Sequence, residues 1–278
     1  MKIWLTALVI VVLGAGAWYL FSVDRTVEEP LMIEEQAVIP VQQEPEPELI
    51  TEPVEEVLIE KATPSAPELA EIPLPALPES DPMAAEALSD LVGEAEAVRY
   101  FVSDDVIARA VAQIDALDSQ QIPESIQVVR GPQDAFIAIE NPDPEEVVVN
   151  ELGDPIPQYL SDPANQQRYT PYVEMLEAID TDTLIAMYER NYPLFEEAYG
   201  QLGYPEGDFN QRLKAVIDEL LAAPEVTEPV RFIKPEAFYL FADEELEALP
   251  AGQKLMIRMG SDNAERVKSR LLEIREAL

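Results

Sequence analysis

Along the chain the spacing of apolar residues changes character twice. From Ile3 to Phe21 nineteen residues pass without a charge, which at 1.5 Å per residue spans roughly the 30 Å hydrocarbon core of a bilayer. The run predicts a transmembrane helix over residues 1–22, with Trp4 near one end and Trp18 and Tyr19 near the other, where amphipathic rings settle at an interface. Residues 23–80 show no helical or strand period, only short apolar islands such as LMIEEQAVIP and VEEVLIE between prolines. From Asp81 onward apolar residues recur at spacings of three and four, the signature of helices that bury one face.

Within 81–278 the pattern predicts a mainly α domain with one small β-hairpin. Asp81 and Pro82 open a first helix, and Ser103 opens a second whose stripe runs through Val106, Ile107, Ala110, Val111, Ile114 and Leu117. Helices are thus expected over 81–120, an irregular segment over 121–162, and a helical core over 163–278. In the irregular segment AFIAIE and EEVVVN flank NPDP, the best hairpin candidate in the chain. Thr170 and Pro171 open the next helix. Leu184, Tyr188, Tyr192, Phe195, Tyr199 and Leu202 then trace one continuous helical face, across which Pro193 removes a backbone donor and predicts a kink or a junction of two helices. That face reads as buried packing, with a tyrosine-lined groove as its alternative. Asp208 caps an amphipathic helix, VRFIKPEAFYLF is extended or mixed, and Asp243 starts another short helix. Pro250 opens the next, Gly260 ends it, and Ser261 caps a last helix with Ala264, Val267, Leu271, Ile274 and Leu278 in phase.

Charge changes the picture. The chain carries a formal net charge of -37 over 278 residues. Residues 22–82 hold 16 acids, 2 bases, eleven prolines and no glycine, a composition that favours an extended, self-repelling disordered linker. Such a linker has an r.m.s. reach of roughly 40–45 Å. Residues 83–278 hold 39 acids against 15 bases, so the domain is acidic in its own right and repels nucleic acid. Only the last 28 residues reverse the sign, with six bases against four acids. Cysteine and histidine are both absent, which rules out disulfides, thiol nucleophiles, Ser-His-Asp catalysis and the usual zinc sites. No metal or cofactor site is expected.

RYTPY, YERNYPLFEEAYGQLGYP, FNQRL, LLAAP, FYLFADEELEAL and GQKLMIRMGSDNAERVKSRL occur in this order, and together they resemble an uncharacterised bacterial domain-of-unknown-function family. Its members combine a single N-terminal span, a variable acidic or Pro-rich arm and a C-terminal helical domain. The resemblance covers about residues 84–278, is densest after Arg168, and brings no activity with it. It marks Arg168, Tyr188, Tyr199, Asp243, Glu247, Lys254, Arg258 and Asn263 as a candidate interaction surface, with Pro193, Gly203 and Gly260 as further motif positions.

Candidate chemistry is thin. Glu140, Asn141, Asp143, Glu145 and Glu146 follow no calcium-loop spacing, and DTDTLIAMYE lacks the glycine that an EF-hand needs at its sixth position. Asp243, Glu244, Glu245 and Glu247 are acids in a first helical turn, where the dipole favours them. The expected function is a membrane-anchored, periplasmic interaction or structural module, held off a bacterial inner membrane by its linker, with the N-terminus cytoplasmic. Its partner would be another envelope protein or a cell-wall component. Ala15-Gly16-Ala17 offers a signal-peptide cleavage alternative. Two other functional classes stay open: a carboxylate-dependent envelope hydrolase, which needs two facing acids, and a TonB-like energy-transducing tether, although the apolar run has no ionisable residue to couple to a proton motor.

Overall fold

The computed structural model describes residues 73–278 except Gln133, Asp143, Glu145, Glu146, Glu151 and Ala237. The predicted transmembrane helix and the linker lie outside the described residues, and no helix among these is long and apolar enough to cross a membrane. In chain order the elements are α1 (Asp81–Val92), α2 (Glu94–Tyr100), α3 (Val106–Ala116), β1 (Ala138–Asn141), β2 (Gln158–Ser161), α4 (Ala164–Gln167) and α5 (Thr170–Ala178). There follow α6 (Thr181–Gln201), α7 (Phe209–Leu221), β3 (Arg231–Ile233), β4 (Leu240–Phe241), α8 (Glu244–Glu247), α9 (Ala251–Arg258) and α10 (Ser261–Ala277). The mainly α expectation holds.

α3, α7 and α10 bury the stripes that their spacing predicts, whereas the face predicted along α6 loses Leu202, which lies past the helix end and is 42% exposed, and keeps Tyr192 only partly buried. Val106, Ile107, Ala110, Val111 and Ile114 of α3, Phe209, Leu213, Val216, Ile217 and Leu220 of α7, and Val267, Leu271 and Ile274 of α10 are all buried. Burying side chains of this size contributes about 1.5–3 kcal/mol each. α10 lies across α5, α6 and α7, while α3 packs on α6 and α7, so these five helices enclose the main core. α6 runs unbroken through Pro193, which corrects the alternative of two helices meeting there. Its neighbours hold it: Leu184, Tyr188, Leu194, Phe195 and Tyr199 are buried on either side of the missing donor.

The sheet differs most from expectation. β1 to β4 form one antiparallel sheet in sequence order. β1 does not pair with EEVVVN across NPDP. Ile139 faces Leu160, so the partner is QYLS, seventeen or more residues on. Turn chemistry explains the difference. Asn150 Oδ1 accepts hydrogen bonds from the Leu152 and Asp154 N–H groups, each at 2.9 Å, and Gly153 takes φ +84°. The chain therefore reverses at NELGD, and Val148 pairs with Ile156 just beyond it. β3 and β4, both within the VRFIKPEAFYLF segment read as extended or mixed, complete the sheet inside the stretch 163–278 otherwise expected as a helical core.

One face of the sheet forms a second core of Val230, Phe232, Phe241 and Ile257, with Phe136, Tyr159 and Tyr239 against it. The Phe232 and Phe241 rings stack with centroids 5.1 Å apart. α9 separates the two cores: Leu255, Met256 and Met259 face the helical one and Ile257 the sheet. All eight residues of α9 are buried.

Helix N-termini are held by carboxylates, some from far along the chain. Asp208, Asp180 and Asp243 cap their own helices. Asp81, however, caps α3 rather than α1: its two oxygens accept from the Asp105 and Val106 N–H groups, both at 2.9 Å. α3 accordingly starts at Val106, not at Ser103. Likewise Ser261 is the first residue of α10 and not its cap, and Glu228 accepts from its N–H at 3.1 Å. A buried helix end needs such partners because its first N–H groups have none within the helix.

Candidate functional site

Six of the eight candidate residues gather around α9. Asp243 accepts from the Glu245 and Leu246 N–H groups and fixes the start of α8. Glu247, at the end of α8, accepts from the Phe241 N–H at 2.9 Å through one oxygen and from Lys254 Nζ at 3.0 Å through the other. Lys254, only 3% exposed, donates also to the Glu247 carbonyl at 3.1 Å. Arg258, one turn on, lies 4.9 Å from the Phe241 ring centroid and 5.3 Å from that of Phe232, and donates to the Tyr239 carbonyl at 2.9 Å. Both cations of α9 thus reach into the sheet layer. A buried charge needs compensating partners: Lys254 has the Glu247 carboxylate, and Arg258 has the Tyr239 carbonyl and two aromatic faces.

The far end of α9 is as closely built. Gly260 takes φ +86°, and a Cβ there would stand 2.3 Å from the Gln166 side chain. Gln166 donates to Glu228 at 2.6 Å, and its carbonyl accepts from Asn263 Nδ2 at 2.9 Å. Arg168 donates to the Asp134 carbonyl. Tyr169 is buried, and that burial pushes its hydroxyl up in pKa, against the pull of the Arg258 and Arg168 guanidinium groups. At the near end of α9, the Ala251 and Gly252 N–H groups donate to the carbonyls of Ser119 and Leu117 at 2.7 and 2.9 Å. A side chain at Gly252 would meet Leu220 at 2.7 Å.

Tyr188 and Tyr199 lie apart from this cluster, on α6. Their rings join a chain of aromatic contacts that runs through Phe195 to Phe209, with Tyr199 also stacked on Tyr204 at 4.7 Å. Both readings of this face find a place: Leu184, Tyr188, Phe195 and Tyr199 are buried, while Tyr188 and Tyr192 also line a groove with Ile185, Glu189, Asn210 and Leu278. The groove holds about 230 Å³. The Tyr188 hydroxyl and the Asn210 side-chain oxygen have no hydrogen-bond partner among the described residues. Burial, then the nearby Tyr192, Glu196 and Asp208, raise the Tyr188 hydroxyl well above its ordinary pKa, so it stays protonated.

Two carboxylates meet next to that groove. The Tyr192 hydroxyl donates to Glu196 and stands 3.2 Å from Asp208. Both acids are engaged in capping: Glu196 accepts from the Phe209 N–H at 2.8 Å, and Asp208 from that of Gln211 at 3.0 Å. The Gln211 N–H, foremost, holds Asp208 below the usual carboxylate range. That suits a cap and not a proton donor. Among the described residues no group of three or more acids is placed to hold a metal ion.

One feature carried no weight in the sequence. Between residues 131 and 167 there are eight acids and no Lys or Arg, and the same segment holds Ile137, Ile139, Val147, Val149 and Leu152, all exposed. The absence of bases from a β-branched stretch was the available signal.

Geometry of this kind defines an acidic, mainly α domain with a small antiparallel sheet, built around a buried helix that carries Lys254 and Arg258 inward. The chain belongs to the family described as "Protein of unknown function (DUF3014)", whose model matches residues 106–275. No curated protein matches the chain, and no solved structure does.

Proposed function

We propose that the chain is a membrane-anchored interaction module: a single N-terminal span, an acidic Pro-rich spacer, and the domain of residues 81–278 presented to a partner in the periplasm of a bacterium. The order of parts in the sequence carries this reading. A nineteen-residue uncharged run precedes about sixty residues whose composition favours extension, and the helical spacing of apolar residues begins only after them. The inward use of Glu247, Lys254, Arg258 and Asn263, and the capping of α8 by Asp243, support an architectural role for the motif residues. It favours partner binding by another part of the surface over chemistry at the motifs.

In-cell photocrosslinking tests it. With a photoreactive residue placed singly at exposed positions of the full chain, such as Ile139, Tyr204 and Leu272, at least one position yields an adduct with an envelope component. A chain that crosslinks to nothing at any exposed position, or whose C-terminal reporter is active only in the cytoplasm, contradicts the proposal.

A further inference from the structure

The sheet has an outer face as well as a core face. Ile139, Leu160, Ile233 and Leu240 share it by register and pleat, and none of them packs into either hydrophobic cluster. At one end the face is closed over Gln158, which is buried. At the other it opens onto Ile137 and Ile139, each 46% exposed. Val147, Val149 and Leu152, on the hairpin that grows from β1 and β2, are 59%, 53% and 85% exposed. Five of the nine large hydrophobic side chains found exposed among the described residues thus fall within sixteen positions of the chain. A soluble surface seldom concentrates apolar residues in this way unless something covers them.

β1 is also an edge strand. It pairs with β2 alone. Ile137 and Ile139 direct their backbone groups toward β2 and its continuation, so alternation leaves those of Ala138 and Glu140 along the outer edge. Natural edges are usually blunted by lysine, proline or a bulge. Here the strand offers isoleucine, and the segment from 131 to 167 contains no lysine.

Charge selects the occupant. A second copy of this chain would bring a like-charged domain, 39 acids against 15 bases over residues 83–278, against this edge, even with Arg231 in register with Leu160 on the outer face, and an anionic lipid surface would meet the same repulsion. A basic partner would gain from that charge. We infer that β1 and its hairpin form the docking edge of this domain for an extended segment of a partner protein that alternates apolar and basic residues and adds to the sheet as a fifth strand. Apolar side chains of the added strand would lie beside Ile137 and Ile139, and its bases on the face of Glu140. Backbone pairing supplies affinity in such additions, and the alternating side chains supply selectivity. The inference rests on the interaction-module reading and names its surface.

The test uses the full chain in detergent micelles and a short fluorescent peptide alternating Val and Lys. Binding is read by anisotropy. The peptide binds and weakens as ionic strength rises, and the same peptide with Glu in place of Lys binds at least about tenfold more weakly. Ile139→Lys and the milder Ile139→Thr each weaken binding by about tenfold or more, whereas Leu272→Lys, at an exposed apolar site on α10, leaves it unchanged. Circular dichroism and the thermal midpoint confirm that each variant is folded. Equal binding of the Lys and Glu peptides overturns the inference, as does a Leu272 effect matching that of Ile139. Self-association abolished by Ile139→Lys assigns the edge to a second copy instead. Uptake of the domain by phosphatidylcholine vesicles through the same residues assigns it to lipid, and either result overturns the basic-segment proposal. Crosslinks from Tyr204 or Leu272 in cells, with none from Ile139, would leave the interaction module standing and remove only this edge.

Discussion

α9 and the β1 hairpin invert the usual arrangement in opposite directions. α9 carries Gln253, Lys254 and Arg258 into the interior, where all three are buried, whereas the hairpin carries Ile139, Val149 and Leu152 out to solvent. The difference lies in partners. Each polar side chain of α9 meets a specific group within the domain: the Glu219 carbonyl for Gln253, Glu247 for Lys254, and the Tyr239 carbonyl and two aromatic faces for Arg258. For the hairpin the described residues supply no such cover. A buried charge with its partners is architecture, and an exposed apolar edge without one is available for use.

If α9 is architecture, breaking one of its pairs destabilises the whole domain. Lys254→Ala strands Glu247 and is expected to cost about 3–5 kcal/mol in chemical denaturation. The double variant Lys254→Met with Glu247→Leu recovers most of that loss, because an apolar pair of similar volume replaces the ions. A loss below about 1 kcal/mol for Lys254→Ala would place the lysine at the surface in solution. Gly260→Ala comes next. It forces a side chain onto Gln166 at a positive φ, and about 2–3 kcal/mol is expected from the strain and the clash together.

Capping from a distance has a smaller effect. Asp81→Ala removes the acceptor for two N–H groups at the start of α3 and is expected to lower stability by about 1 kcal/mol, with Asp81→Asn close to wild type. Acid acts in the same direction more weakly. Asp180, Asp208 and Glu177 are held below their ordinary pKa by Thr183, the Gln211 N–H and Arg266 respectively. The folded state therefore prefers their anions, and the contribution they make is present above about pH 4 and drains away as the pH falls through the folded values. All three are exposed, so added salt flattens this dependence in a denaturation series. Smallest of all, Ile139→Thr and Val149→Thr are expected to shift stability by no more than about 0.5 kcal/mol. A larger loss at either position would make the hairpin part of the core and dissolve the contrast with α9.

Much of the helical layer was legible in the order of residues. The stripes of α3, α7 and α10 follow from spacing alone, since a helix has only one face to bury. Partnerships across the chain were not legible. Nothing local distinguishes Asp81 as the cap of α3 from Asp81 as the cap of its own helix, and no period separates the QYLS strand from EEVVVN as partner of β1. There the NELGD turn decided. Lys254 and Arg258 were marked by motif, but their burial depends on Glu247, Phe232 and Phe241, which only the fold brings to α9. The exposed edge was harder still, because an apolar strand looks the same in sequence whether or not something covers it.

Hydrogen exchange on the full chain tests the contrast most directly, with and without the Val-Lys peptide. The amides of α9 are expected to exchange only through global unfolding, and those of Ala138 and Glu140 rapidly until the peptide is added, when they alone gain strong protection. Rapid exchange along α9, or peptide-induced protection on α6 or α10 in place of β1, would contradict the account.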